Sequence, residues 1–351
     1  MMIEGHKLYK LEALRGFAAI YVVFHHLFAS GLHVFGKDFS ILFRFGQEAV
    51  ILFFILSGFV IYFSLEKSKD KSLMMFFSKR FLRIYIPLIF VFIANYLLFC
   101  FYNKSFIAID INELLGNLLM LQDLKDKRPD VIVSPFLGNI PLWSLSYEWY
   151  FYFMFFFVFK KGTNSSLLVY FSAVIAAVLY VFYPSFIFRL IMYFAIWWTG
   201  VDFAKFYIGK KEISFNSFRI ILIALLSISS ILIFNVYYNG ALNNINRAGG
   251  IGAHPWLELR HFVFTIVVVG GAIVWKKINW IGFDFIFKPF VYVAPISFGI
   301  YISHWFLLYN HNYLNFIENT SLRLISAIIV CIVFSYLLEI KLFPKVKKMI
   351  L

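Results

Sequence analysis

The chain is poor in charge. Asp, Glu, Lys and Arg make up 14% of its 351 residues, where a soluble domain carries roughly 25%, so there is too little polar surface to cover a water-exposed globule. It is poor in cysteine: Cys100 and Cys331 are the two, and both fall in apolar stretches. That excludes a disulfide framework and a cysteine-based metal site. Acid is scarce beside base, 18 Asp and Glu against 32 Lys and Arg, for a net charge of +14. In so apolar a chain the basic excess belongs in cytoplasmic loops, and it does not point to nucleic acid. No low-complexity tract, internal repeat or separate soluble domain interrupts the sequence.

What is present is apolar length. The composition is 62% hydrophobic and 22% aromatic, with a mean hydropathy of +0.82. Runs near 9–30, 44–64, 84–103, 142–160, 166–183, 187–206, 217–236, 259–276, 290–310 and 322–342 each approach the ~20 residues that cross a bilayer. The expected fold is an all-α polytopic membrane bundle of about ten helices, forming one domain over residues 1–351. With the N-terminus in the cytoplasm, 22 of the 32 Lys and Arg fall on the cytoplasmic side; both termini are then cytoplasmic. Lys7, Lys10 and Arg15 ahead of an apolar run ending Phe28-Ala29-Ser30-Gly31 resemble a signal peptide. Cleavage is not expected, because the next run is again of membrane length. Two outer loops are long. One, about 104–141, carries Asp110, Glu113, Asp123, Asp126, Lys127, Arg128 and Asp130. The other, about 237–258, is rich in Asn and Gly, including Asn239, Asn243, Asn244, Asn246 and Gly249, and ends His254-Pro255-Trp256. Such loops suit sugar hydroxyls, or are ordinary solvated connections.

An ionisable group within a bilayer segment costs about 2.5–3.5 kcal/mol on insertion scales and is a functional candidate for that reason. The first run carries Arg15, His25 and His26. Eleven residues separate Arg15 from His26, a rotation of about 1100° that returns within about 20° of the same helix face. His25 lies about 80° from that face. Over those residues the helix rises about 16 Å, putting Arg15 near the cytoplasmic surface and His26 about half a bilayer deeper. The alternatives are a snorkelling Arg15 and a packing His26. Ser57 and Gly58 are small enough to let helices approach. Arg80 and Arg83, at i and i+3, share a face and suit a phosphate clamp, though positive-inside anchoring explains them too. Glu148 sits at the start of a helix, where the dipole favours an acid, and His304 is a second histidine at membrane depth.

The ordered fragments Leu11-Glu12-Ala13-Leu14-Arg15-Gly16-Phe17, Phe24-His25-His26, Phe53-Phe54-Ile55-Leu56-Ser57-Gly58-Phe59, Arg80-Phe81-Leu82-Arg83, Trp143-Ser144-Leu145-Ser146-Tyr147-Glu148 and Ile296-Ser297-Phe298-Gly299-Ile300-Tyr301-Ile302-Ser303-His304 resemble the bacterial membrane acyltransferase-3 family. The resemblance spans roughly residues 8 to 310. It implies a multi-pass inner-membrane O-acyltransferase using cytoplasmic acyl-CoA, commonly acetyl-CoA, on a carbohydrate such as O-antigen or exopolysaccharide, which is sometimes lipid-linked. It also implies an essential Arg and His in the first helix, which by position are Arg15 and His26, and a functional Arg80/Arg83 pair. Two positions depart from the pattern: Ile51 where a polar residue often stands, and Glu12 where Asp is common. The last helix runs out into Pro344-Lys345-Val346-Lys347-Lys348, and the stand-alone form of the family is the expectation.

The expected chemistry follows. His26 is the base or transient acyl carrier, Arg15 and Glu148 assist, and Arg80, Arg83 and Arg15 hold the CoA phosphates. Ser57, Trp143, Ser146, Tyr301 and His304 contact the acceptor, and no metal takes part. The competing reading is a proton-coupled transporter or flippase for a lipid-linked sugar, since buried ionisable groups also mark transport paths. No inverted repeat or broken-helix pair favours it in the sequence.

Overall fold

The computed structural model describes residues 8–160, 162–244 and 250–350; Lys7, Asn246 and Gly249 lie outside the described residues. The described chain is almost wholly helical. Its one small sheet is an antiparallel pair, β1 (His33–Val34) with β2 (Lys37–Asp38). The principal helices are α1 (Tyr9–Phe28), α2 (Gly46–Glu66), α3 (Leu73–Asn103), a short α4 (Ile111–Leu118), α5 (Trp143–Phe159), α6 (Ser165–Phe182), α7 (Phe186–Ile208), α8 (Arg219–Tyr238), α9 (Trp256–Lys277), α10 (Phe283–Phe287), α11 (Ser297–His304), α12 (Thr320–Tyr336) and α13 (Phe343–Ile350).

Among the described residues eight helices are long and apolar enough to cross a membrane, or nine if one bent pair counts as a span. About ten were expected; the 17-residue α5 falls just short in length. The third span starts well before the expected residue 84, because the Ser72 hydroxyl accepts the Met75 amide and caps α3 there. Expectation and structure part at the ninth span. Phe283–Tyr292 and Ala294–Tyr309 meet at 49°, so it is broken where an unbroken helix was expected. Pro289 and Pro295 account for the break, since each lacks an amide proton. At the break the Arg15 guanidinium donates to Ala294 O at 2.9 Å, an oxygen that also accepts from the Ser297 hydroxyl at 2.8 Å. The approach is close: a Cβ on Gly16 would lie 2.0 Å from Phe290 O.

Glycine also sets the tightest helix contact, α2 against α7. A Cβ on Gly58 would sit 2.0 Å from Trp197 O, and one on Gly200 would sit 1.8 Å from Ile55 O. Gly58 is therefore a packing residue. At one end of the bundle Tyr9 donates to Asp284, joining the start of α1 to α10, and Arg83 of α3 pairs with Glu339, just ahead of α13. These are the basic ends that the charge bias assigns to the cytoplasm. At the opposite end the 104–141 segment is folded. Asp110 caps α4 by accepting the Asn112 and Glu113 amides at 2.8 and 3.2 Å. Asn117 bridges Glu113 O, Ser134 O and the Phe136 amide. Asp123 and Arg128 lie in the interior, so for these two residues the expectation of a solvated loop fails.

Candidate active site

A cavity of about 590 Å³ enters the bundle from its basic end. Its lining includes five cations (Arg15, Lys67, Lys79, Arg80, Arg83) and three acids (Glu12, Asp70, Glu148). Arg80 donates to Ser64 Oγ at 2.7 Å and lies 4.6 Å over the Phe76 ring. Arg83 leans on Phe298 and Phe343 and is paired with the buried Glu339, which is carried on a π-helical turn, Leu337–Leu342. The expected two-pronged pair thus faces one cavity, but one prong already has a carboxylate partner. Deeper in, Glu148 Oε1 accepts from Ser57 Oγ at 2.7 Å and from Tyr152 OH at 2.5 Å. Glu148 is therefore a hydrogen-bonded link between α2 and α5, one turn inside its helix.

The histidines lie elsewhere. His25 and His26 line a second, small cavity of about 40 Å³, together with Gln47, Trp143 and Pro141. Val50 and Tyr301 line both cavities, so these two side chains are the wall between them. The Tyr301 hydroxyl donates to Pro141 O at 2.8 Å and is 2.7 Å from Ser144 Oγ, which fixes the ring across the junction.

His25 and His26 differ in kind. His25 Nδ1 is 2.6 Å from Phe43 O; a carbonyl only accepts, so Nδ1 carries the proton and Nε2 is left as a free acceptor. Gly46 makes this possible, because a Cβ there would fall 2.2 Å from the His25 ring. His26 has no hydrogen-bond partner among the described residues. Its ring stacks on His304 at 5.3 Å and meets Trp305 edge-on at 4.9 Å. The tautomer-fixing contact belongs to His25, and the place between the small cavity and the last helices belongs to His26.

Residues 8–340 match the family model described as Acyltransferase domain. The chain belongs to the acyltransferase-3 family. No curated protein and no solved structure matches it. It is a membrane acyltransferase, and its fold brings most of the expected residues to two adjoining cavities. Arg15, Ser57, Arg80, Arg83, Glu148 and Tyr301 line the large one, and His26, Trp143 and Tyr301 line the small one. Ser146 reaches neither: it is fully buried and donates to Gln122 O and Trp143 O. The acyltransferase also has a buried network that its sequence hardly betrays. Asp123 accepts from Arg128 Nη1 at 2.6 Å, Arg189 Nη2 at 3.0 Å and Tyr147 OH at 2.6 Å. Burial pushes this carboxyl up, but the two arginines outweigh it and hold it below its usual range. Arg128 lies 3.8 Å over the Trp143 ring, so the network backs the small cavity. Arg189, in an otherwise apolar run, was the one visible signal of it.

Proposed function

We propose that this acyltransferase moves an acyl group, acetyl above all, from cytoplasmic acyl-CoA to a hydroxyl of a carbohydrate acceptor, and that it works in a bacterial inner membrane. The observation that carries the reading is the pair of cavities sharing Tyr301. One is wide and cation-lined and opens at the basic end; the other is small, holds histidines and lies toward the opposite end. CoA phosphates suit Lys67, Lys79 and Arg80 at the mouth, and the narrow pantetheine arm suits the passage past Ser57 and Glu148. The thioester then arrives at the Tyr301 wall, next to an imidazole. In the reaction the imidazole takes the hydroxyl proton as the acceptor oxygen bonds to the thioester carbon. The carbon–sulfur bond breaks, and CoA leaves as thiolate to be protonated from the imidazolium. A two-step route through an acyl-imidazole uses the same groups.

The test uses the protein in nanodiscs with radiolabelled acetyl-CoA, reading CoA release and label transfer to an added glycan. Loss of both in His26→Ala but not in His25→Ala assigns the chemistry to His26; the reverse assigns it to His25, whose tautomer is already fixed. Full activity in both removes the histidines from the reaction. The broken span at Phe283–Tyr309 also suits a transporter. Flux of a lipid-linked sugar without consumption of any acyl-CoA would favour that second reading.

A further inference from the structure

Immediately after His304 the chain leaves α-helical geometry for one π-helical turn, Trp305–Tyr309. Such turns are rare and gather at functional sites. Here the turn stacks the Trp305 and Tyr309 rings face to face, 4.3 Å apart and 24° from parallel. The pair is not buried packing, since Tyr309 is 43% exposed. Nor is it only an interfacial anchor of the kind aromatics supply at membrane surfaces, because both rings touch a candidate base: Trp305 meets His26 at 4.9 Å and Tyr309 meets it at 6.0 Å. Beside them His304, 1% exposed, gives its Nδ1 proton to Ile300 O at 3.1 Å. That leaves Nε2 as a buried acceptor without a partner among the described residues. Beyond the pair, Asn310 and Asn312 are exposed.

An aromatic face next to a base, a bare acceptor and two free amides match the chemistry of a pyranose. Such a ring has one apolar C–H face to lie on an aromatic and a rim of hydroxyls that donate and accept. We propose that Trp305 and Tyr309 form the acceptor platform, on which one pyranose ring lies with a hydroxyl toward His26 and a neighbouring hydroxyl donating to His304 Nε2. This deepens the transfer reading by placing its acceptor at the end of the bundle remote from the CoA cavity, and it selects ring sugars over open-chain polyols.

The experiment reads binding and needs no acyl donor. Saturation-transfer difference NMR is run on the protein in nanodiscs with methyl α-glucopyranoside, methyl α-galactopyranoside and methyl α-rhamnopyranoside, and with glycerol for comparison. The expected result is transfer to the ring C–H protons of at least one glycoside and none to glycerol. The signal is lost in Trp305→Leu and kept in Trp305→Phe, which preserves an aromatic face. Absence of transfer to all three glycosides, or an undiminished signal in Trp305→Leu, overturns the proposal. CoA release by the wild-type protein, measured on the same preparation, reports the transfer reading alone. Glycoside binding without release leaves this site standing and sinks that reading. Release without glycoside binding does the reverse.

Discussion

Removing the Asp123 carboxylate tests whether the buried network holds the outer segment and, through it, the site. Asp123 is within hydrogen-bonding distance of Arg128, Arg189 and Tyr147, and the side chains of Asp123 and both arginines are at most 1% exposed. At an effective dielectric near 20 each arginine gains about 4 kcal/mol of attraction at ~4 Å. The carboxylate's desolvation and the repulsion between the two guanidinium groups offset part of that. What remains on deletion is two buried cations without the carboxylate they are hydrogen-bonded to, and removing one member of a buried pair costs about 3–5 kcal/mol. Asp123→Ala is therefore expected to lose that much in unfolding titrations with SDS in mixed micelles. Asp123→Asn, which keeps an acceptor for Tyr147 and one arginine, is expected to lose less.

The sign of the pH dependence follows from the same pair. The folded protein holds Asp123 below its ordinary range, so its contribution is complete above the unfolded value of about 3.9. It is lost as pH falls through the lower folded value. The wild type then shows an acid-destabilising limb below about pH 4 that Asp123→Asn lacks. Arg128 backs Trp143 from 3.8 Å, so Asp123→Asn is also expected to raise the acceptor KM more than it lowers kcat. An Asp123→Ala variant within about 1 kcal/mol of wild type, well under the loss expected from a broken buried pair, would refute the reasoning.

Three further outcomes follow from packing and from the cavity walls. Gly200→Ala puts a methyl 1.8 Å from the Ile55 carbonyl oxygen, which is backbone and cannot turn aside. It should cost about 3 kcal/mol, the upper end of overpacking, in the same titration, whereas Gly270→Ala, with open space around it, should cost little. Tyr301→Ala removes the wall between the two cavities and should raise acceptor-independent CoA release several-fold by admitting water; unchanged release would show that Val50 suffices as the partition. Glu339→Gln frees Arg83 of its carboxylate and should lower the acyl-CoA KM and steepen its salt dependence, measured at two ionic strengths.

What the sequence made legible was what single-chain physics controls. Apolar length announced the helices, basic clusters announced their orientation, and the eleven-residue step from Arg15 to His26 placed a cation low and an imidazole high on α1. Most of the misreadings share a cause: a partner elsewhere in the chain that spacing does not reveal. Ser146 was expected to contact the acceptor, but carbonyls at Gln122 and Trp143 take its hydroxyl. Asp123 and Arg128 look like solvated loop charges until Arg189, 66 residues from Asp123, closes the network. Arg83 looks like half of a free clamp until Glu339 arrives from 256 residues away. The broken span was within reach of the sequence, since Pro289 and Pro295 stand six residues apart, just before and just inside the ninth apolar run. What the prolines alone could not say is which side chain from another helix would meet the break. It is Arg15, which joins the Ser297 hydroxyl on Ala294 O, and this changes how that residue should be read. An arginine donating to Ala294 O on the broken helix that leads into Tyr301 and His304 is tied to the wall between the cavities as well as to the cation-lined mouth. Its replacement by Lys keeps the charge at the mouth but removes the guanidinium nitrogen that donates to Ala294 O. Arg15→Lys should therefore disturb the Tyr301 partition before it weakens acyl-CoA binding.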